Sequence, residues 1–316
     1  MMRENTVCPE WTLGGGPHSG IILSTRARLA RSLSDIPFPA CASGEDLVMA
    51  AEMVREACVG LRSKMPDLRC FSVDKLGSYE RSYLLDAHLA SIEHLAGGEG
   101  RAVVLEPTGR LSIMVNEEDH IRIQSVQSGL ACREAWEVAD WADDVLGAKL
   151  DYGYSAKYGY LTASVSNVGT GLRVSALMHL AGLTISNRLN SQLRAAHDLG
   201  VSIRGVFGEG TQAIGDLVQV SNEVTLGCDE PEIVEKVRSM AEYLLEEELC
   251  ARKELLGEDR KRIVDAASRS LRTLQCSMSL KPDQALKLLS PLRLCAECGL
   301  TKGLGRRELN LSLIHI

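Results

Sequence analysis

At 316 residues the chain is long enough to bury a large core, with one large domain and a smaller one as the natural division. Apolar residues make up 45% of it, which excludes a disordered chain, and a net charge of -7 excludes a general nucleic-acid or membrane-surface binder. Any anion site therefore has to be a local cluster of arginines.

No apolar run approaches the ~20 residues of a membrane span, and the N-terminus lacks the apolar core of a secretion signal. The ten cysteines are scattered and read as mostly reduced, buried small residues of a cytoplasmic protein. Cys295-Ala-Glu-Cys298 is the one close pair, and without a second ligand pair it is weak evidence for zinc.

Residues 1–19 read as loop, with Gly14-Gly-Gly16-Pro17, and Gly20-Ile-Ile-Leu-Ser24 reads as a short strand. It leads into Ser24-Thr25-Arg26-Ala27-Arg28-Leu29-Ala30-Arg31, where Arg26 and Arg28 alternate on a strand while Arg28 and Arg31 would share a helical face. Clustered guanidinium groups suit phosphate, because their planar forks stay charged; the plainer alternative is a solvated basic face. Helical spacing covers 44–65, closed by Pro66, and a second helix is expected from Ser78 to Leu95, carrying His88.

A hairpin is expected at 101–116, turning at Pro107-Thr-Gly109. It ends in Asn116-Glu117-Glu118-Asp119-His120-Ile121-Arg122. Three adjacent acids at a strand end rarely serve packing, since burying unpaired charge is costly; a solvated acidic loop is the alternative. Ile121–Val126 then alternates like a strand with Arg122 and Gln124 on one face, and 130–146 reads as an amphipathic helix.

Tyr158–Ala163 is strand-like and runs into the small-residue loop Ser164-Val-Ser-Asn-Val-Gly-Thr-Gly171, followed by Arg173. Such a loop lets backbone N–H groups approach a ligand closely, yet it matches neither a Walker loop nor a dinucleotide fingerprint. Arg173–Leu180 reads as a buried strand, 184–199 as a helix and 201–204 as a strand. Arg204-Gly205-Val206-Phe207-Gly208-Glu209-Gly210 is a glycine-rich turn with an arginine and a glutamate, and 216–222 returns as a strand.

Helical periodicity with dense charge covers 232–256 and 259–275, with shorter helices at 282–289 and 291–298. The expected domains are therefore 1–228 and a mainly helical unit at 229–310, the latter truncated. Leu311-Ser-Leu-Ile-His-Ile316 fits no preceding pattern and is what a common sequencing adapter would encode in frame, so 311–316 is expected to be a non-native tail.

Together, Ser24–Arg28, Asn116–Arg122, Ser166–Arg173 and Arg204–Glu209 resemble, in order, the ATP:guanidino phosphotransferase family. Small-molecule members place a separate helical domain of about a hundred residues before the first segment. Here that segment starts at 24 and a helical unit follows instead, which resembles the bacterial branch that phosphorylates arginine side chains of proteins. Pattern and resemblance together give an α+β fold, an antiparallel sheet flanked by helices with a helical C-terminal domain.

The resemblance implies ATP as phosphoryl donor, with Mg2+ held mainly by the phosphates and water and by no side chain. Arg26, Arg28, Arg122, Arg173 and Arg204 would surround the phosphates, and Ser24, Thr25, Ala27, His88, Val174, Ser175, Ala176, Leu177, Gly205, Val206, Phe207, Gly208 and Glu209 fall where the family contacts nucleotide. Glu118 matches the catalytic base, and Glu209 the second carboxylate gripping the guanidinium.

Ser164 stands where the family usually carries a cysteine that touches the substrate, and a serine hydroxyl offers a hydrogen bond but no charge. The implied partners are proteins with exposed arginines, a Clp-type protease, a zinc-binding activator protein and, in a full-length chain, a second copy forming a homodimer; neither nucleic acid nor membrane is implied. The family's R-D-x-x-R-A motif is not visible. A small-guanidine phosphagen kinase and a catalytically weak adaptor for arginine or phosphoarginine are the alternatives.

Overall fold

The computed structural model describes residues 8–205, 213–301 and 303–314. After a one-turn helix at Glu10–Leu13, the chain forms β1 (Ile22–Arg31), α1 (Gly44–Ala57), β2 (Arg69–Ser72), α2 (Ser78–Asp86) and α3 (Ile92–Leu95). Next come β3 (Ala102–Leu105), β4 (Leu111–Val115), β5 (Ile121–Ser128), α4 (Cys132–Gly147), β6 (Tyr154–Ser155) and β7 (Gly159–Tyr160). Then follow β8 (Leu172–His179), α5 (Ala181–Ile185), α6 (Leu189–Asp198), β9 (Val201–Gly205) and β10 (Leu217–Asn222). The chain closes with α7 (Glu230–Glu258), α8 (Arg260–Cys276), α9 (Pro282–Glu297) and α10 (Arg306–Ile314).

Eight strands make one antiparallel sheet in the order β2-β3-β4-β5-β1-β8-β10-β9, the α+β architecture expected. Its two faces differ because side chains alternate along each strand. Ala27, Leu29, Ile121, Ile123, Leu172 and Val174 are buried against Ala135, Ala139, Ala142 and Leu146 of α4 and Ile233, Val234 and Val237 of α7. The apolar spacing of α4 is the helical three-and-four step that makes one stripe face the sheet. Further along, Ala176, Met178, Val218 and Val220 meet Met240, Ala241, Leu244 and Leu245 of α7. The helix that begins at Glu230 thus shares the core of the sheet along its first half.

The outer helices bury Ile263, Ala267, Leu292, Leu294, Cys295 and Leu309 together with Ala181 of α5. Residues 311–314, set apart in the sequence, continue α10.

Several elements differ from expectation. The strand expected at 20–24 runs to Arg31, so Arg26 and Arg28 share one face while Arg31 points to the other. The helix expected over 78–95 breaks at His88, which has φ 59; its carbonyl accepts a hydrogen bond from Gln124 Nε2 at 2.6 Å. The expected strand at 158–163 shrinks to Gly159–Tyr160, and the helix at 184–199 divides into α5 and α6. Conversely, α9 runs unbroken through Pro291, where two short helices were expected. Of the ten cysteines three are buried and four exposed, so the expectation that most are buried small residues does not hold.

Candidate active site

The open face of the sheet collects the charge. Antiparallel register sets Arg28 opposite Arg173 and Gln124, Arg26 opposite Ser175 and Val126, and Arg122 opposite Ala30, all projecting to the same side. Among the described residues Arg26, Arg28 and Arg173 make no ion pair, and the buried Nε of Arg173 has no hydrogen-bond partner. Burial, then Arg173 and Arg122, push Arg26 down to about 10. Arg28 falls well below its ordinary value, chiefly because Arg26 stands beside it. Burial and the neighbouring Arg204 lower Arg173 in the same way. Cations held this close without compensating charge form a preorganised seat for a multiply charged anion.

Two cavities open on this face. One, of about 60 Å³, is lined by Ser24, Arg26, His88, Ser175 and Leu177, joined by Trp11, Val126 and Gln219. Burial and Arg26 push His88 down to about 4, so its imidazole is neutral. The other, of about 100 Å³, is lined by Arg28, Arg122, Arg173, Glu118 and Ser164, with Ser166 and Asn167 of the small-residue loop.

The acidic turn gives its three carboxylates different surroundings. Asn116 takes φ 59 and donates through Nδ2 to the carbonyls of Leu47 and Gly100, which fixes the turn. Glu117 accepts from Arg122 Nη1 at 2.8 Å and Ser91 Oγ at 2.7 Å. Burial works to raise the Glu117 carboxyl, but Arg122 and these hydrogen bonds outweigh it and hold the group below its usual range. Asp119 is fully buried and accepts from Ser32 Oγ at 2.8 Å and from the Ala163 backbone N–H at 2.7 Å. Glu118 has a side chain 45% exposed, touches Arg122 Nη2 at 3.2 Å and faces the second cavity. Of the three acids, it is the one free to meet a ligand.

The loop beside Glu118 is tied from below. Arg31, 1% exposed, donates to Asp143 Oδ2 at 2.7 and 2.9 Å and to the Thr170 carbonyl at 2.8 Å. Gly171 has φ 64, and a Cβ there would lie 2.6 Å from the Ala30 carbonyl and 2.7 Å from Arg31 Nη1. Only glycine lets the chain pass.

The structure brings Ser24, Arg26, Arg28, His88, Glu118, Arg122, Ser164, Arg173, Ser175 and Leu177 to the two cavities. Thr25, Ala27, Val174 and Ala176 alternate away: Thr25 Oγ1 donates to the Gly129 carbonyl, and the other three pack in the helix-side core. Arg204 lies at the sheet edge on β9, exposed, with Nε donating to Ser202 Oγ at 2.9 Å, and Gly205 ends that strand. Val206, Phe207, Gly208 and Glu209 lie outside the described residues. The sequence reading missed Trp11, Val126 and Gln219. Val126 and Gln219 would follow from extending the alternation on β5 and β10 once register is known, whereas no local pattern points to Trp11.

The profile described as ATP:guanido phosphotransferase, C-terminal catalytic domain, matches residues 49–251, more than half of the chain. The chain belongs to the ATP:guanido phosphotransferase family. A protein-arginine kinase of Pelotomaculum thermopropionicum is 40% identical over 319 residues, covering 100% of this chain and 90% of that protein. Another, of Halothermothrix orenii, is 39% identical over 292 residues, covering 92% of this chain and 82% of its own. Among solved structures, a lombricine kinase superposes with a TM-score of 0.68 at 22% identity over 79% of this chain and 73% of that one. That likeness is one of fold, and it shows that this phosphotransferase shares the sheet of a guanidino kinase.

Proposed function

We propose that this phosphotransferase moves the γ-phosphoryl group of ATP to arginine side chains of proteins. Similarity to protein-arginine kinases along nearly the whole chain supports the acceptor class. The single observation that carries the chemistry is Glu118 facing the cavity bounded by Arg28, Arg122 and Arg173.

An arginine side chain is cationic at physiological pH and its lone pairs are delocalised, so it attacks poorly until a carboxylate orients it and removes a proton. Glu118 has the position for both. Its contact with Arg122 is half-exposed and worth only ~0–1 kcal/mol, so an incoming guanidinium displaces it easily. As the acceptor nitrogen bonds to the γ-phosphorus, the bond to the bridging oxygen breaks, ADP leaves with the electron pair, and the proton passes to Glu118.

Arg26, Arg28, Arg122, Arg173 and Arg204 neutralise the phosphates and the transferring group, which a loose transition state with spread charge demands. Ser24, His88, Ser175 and Leu177 border the nucleotide through side chains, and Thr25, Ala27, Val174, Ala176 and Gly205 only through backbone. Ser164 offers the acceptor a hydroxyl, and Glu209 serves as the second carboxylate.

Among the described residues no three histidines, cysteines or acids gather as a metal site, and the nearby Glu117 and Glu118 are engaged by Arg122. In this reading the magnesium ion arrives on the ATP phosphates and keeps water as its remaining ligands.

The test is incubation with ATP and magnesium and a protein rich in exposed arginine, followed by detection of acid-labile phosphoarginine. Glu118→Gln should lower transfer ~10²–10⁴-fold with ATP affinity nearly unchanged. Loss of ATP binding would show the role misassigned, and product on free arginine alone would favour a small-guanidine kinase. A zinc-binding activator, a Clp-type protease reading the mark, a homodimer and a cytoplasmic setting complete the proposal; added activator should raise the phosphoarginine yield in the same assay.

A further inference from the structure

The cavity beside Arg26 has a wall that the arginine chemistry does not account for. Trp11, on the one-turn helix Glu10–Leu13, is 2% exposed and lines this cavity together with Ser24, Arg26, His88 and Leu177. Its ring meets that of His88 edge-on, with centroids 5.8 Å apart. Its indole Nε1 is buried and has no hydrogen-bond partner among the described residues. A buried donor left unmade is costly, and folded chains seldom keep one without a use. Trp136 provides the contrast, since its Nε1 donates to Glu230 Oε2 at 2.6 Å. Where an indole ring braces α4 against α7, its N–H is partnered; where it walls a cavity, it is not.

The order of groups along β1 says what the cavity holds. Arg28 lines the cavity of Glu118 and Arg26 lines the cavity of Trp11, two residues apart on one strand face. A nucleotide with its terminal phosphate near Glu118 and its chain of phosphates passing Arg28 and Arg26 ends with its base among Trp11, His88, Val126 and Leu177. Those side chains offer flat and aliphatic surface, but the base of a nucleotide also has an edge that needs partners.

We propose that Trp11 is a specificity-determining residue of the nucleotide site, its indole N–H donating to a ring nitrogen of the adenine base. The inference rests on the reading of this face as an ATP site and adds which group reads the base. An indole N–H donates and never accepts, and the adenine ring carries three acceptor nitrogens, N1, N3 and N7. A site with a buried donor discriminates strongly against a ligand that lacks the matching acceptor. The seat of Trp11 is set from the far end of the chain: Asn310 Nδ2 donates to the Thr12 carbonyl at 3.1 Å, and Arg306 Nη1 donates to the Gly14 carbonyl at 3.1 Å. Arg306 is itself held by both oxygens of Glu297 at 2.6 and 2.8 Å. The outer helices α9 and α10 therefore reach the base end of the cavity.

The experiment is calorimetric titration of the whole chain with ADP and with its 1-deaza, 3-deaza and 7-deaza analogues, for the wild type and Trp11→Phe. Phenylalanine keeps an aromatic wall and removes the donor. Trp11→Phe is expected to bind ADP about three- to tenfold more weakly, the worth of one hydrogen bond, and to unfold at a somewhat lower midpoint because the smaller ring leaves part of a buried site empty, so affinity is read well below that midpoint. One deaza analogue should bind the wild type more weakly by a similar factor and lose nothing further on Trp11→Phe, since both changes delete the same contact. The analogue series on the wild type needs no variant to fold. Equal affinity for ADP and all three analogues, or losses that add to that of Trp11→Phe, would overturn the proposal. A wild-type chain that binds no ADP would overturn the nucleotide reading beneath it, a result separate from ADP binding that ignores Trp11.

Discussion

Among the three adjacent acids, residue type carries no distinction, and the difference lies in what each carboxylate touches. Glu117 is taken up by Arg122 and Ser91, Asp119 by Ser32 and the Ala163 N–H, and Glu118 faces the cavity. The family resemblance singles out Glu118 as the base, and the geometry of the turn engages its two neighbours elsewhere. Asp119 is a positioning residue, because its one bridge ties the acidic turn to the strand end at Ser32 and to the residue before Ser164. Asp119→Ala should raise the acceptor KM severalfold and leave the ATP KM nearly unchanged. An equal rise in both, with folding intact, would show that Asp119 does not act through the acceptor loop.

At the level of elements, β1 does two jobs because its faces alternate. Ser24, Arg26 and Arg28 project to the cavities, while Thr25, Ala27, Leu29 and Arg31 project to the helices. Arg31 is therefore no member of the phosphate cluster, although the sequence allowed it to share a helical face with Arg28. It sits over the ring of Tyr160 at 3.6 Å and pairs with the buried Asp143, whose carboxyl is raised by burial against the pull of Arg31. Removing one partner of such a pair leaves an uncompensated buried charge. Arg31→Ala should cost about 3–5 kcal/mol of stability, read by chemical denaturation, and the loop at 164–171 should become the first segment to exchange its amide hydrogens. A change below about 1 kcal/mol would show that the pair is not what holds the loop.

The local patterns that failed share a cause at this same scale. The 78–95 helix breaks at His88 because Gln124, from a strand distant in sequence, captures the His88 carbonyl and Trp11 receives its ring. Helix periodicity cannot register a competitor that arrives from elsewhere in the chain.

Across the whole molecule, four histidines among the described residues are pushed toward the neutral form, His120 by burial against the opposing pull of Asp119. Burial pushes His94, which is 0% exposed and bonded through Nε2 to the Ala102 carbonyl, down to about 4; burial and Arg26 do the same to His88. Burial, Arg252 and Arg293 hold His179 well below its usual value. Each binds its proton more readily in the unfolded chain, so stability is full above about pH 6.5 and declines as pH falls toward 4. The buried carboxylates of Asp143, Glu230 and Glu248 are raised and work in the opposite sense, gaining stability on acidification. His94 alone contributes on the order of 3 kcal/mol between the two limits. Denaturation at pH 7.5 and pH 5 should therefore show His94→Gln losing less stability than the wild type over that interval, and equal losses would refute the assignment.

The sequence by itself determined the class of chemistry and the alternation that delivers it. Arginine stays charged at physiological pH and strand side chains alternate by geometry, so the spacing of Arg26 and Arg28 offered an anion site beside the plainer solvated basic face, and the family resemblance chose between them. Only the tertiary structure decided which carboxylate is free, that the Trp11 N–H has no partner among the described residues, and where the helix before β3 breaks. Those depend on sheet register and on contacts between segments as distant as Thr12 and Asn310, and no local period in a sequence encodes which distant segment arrives.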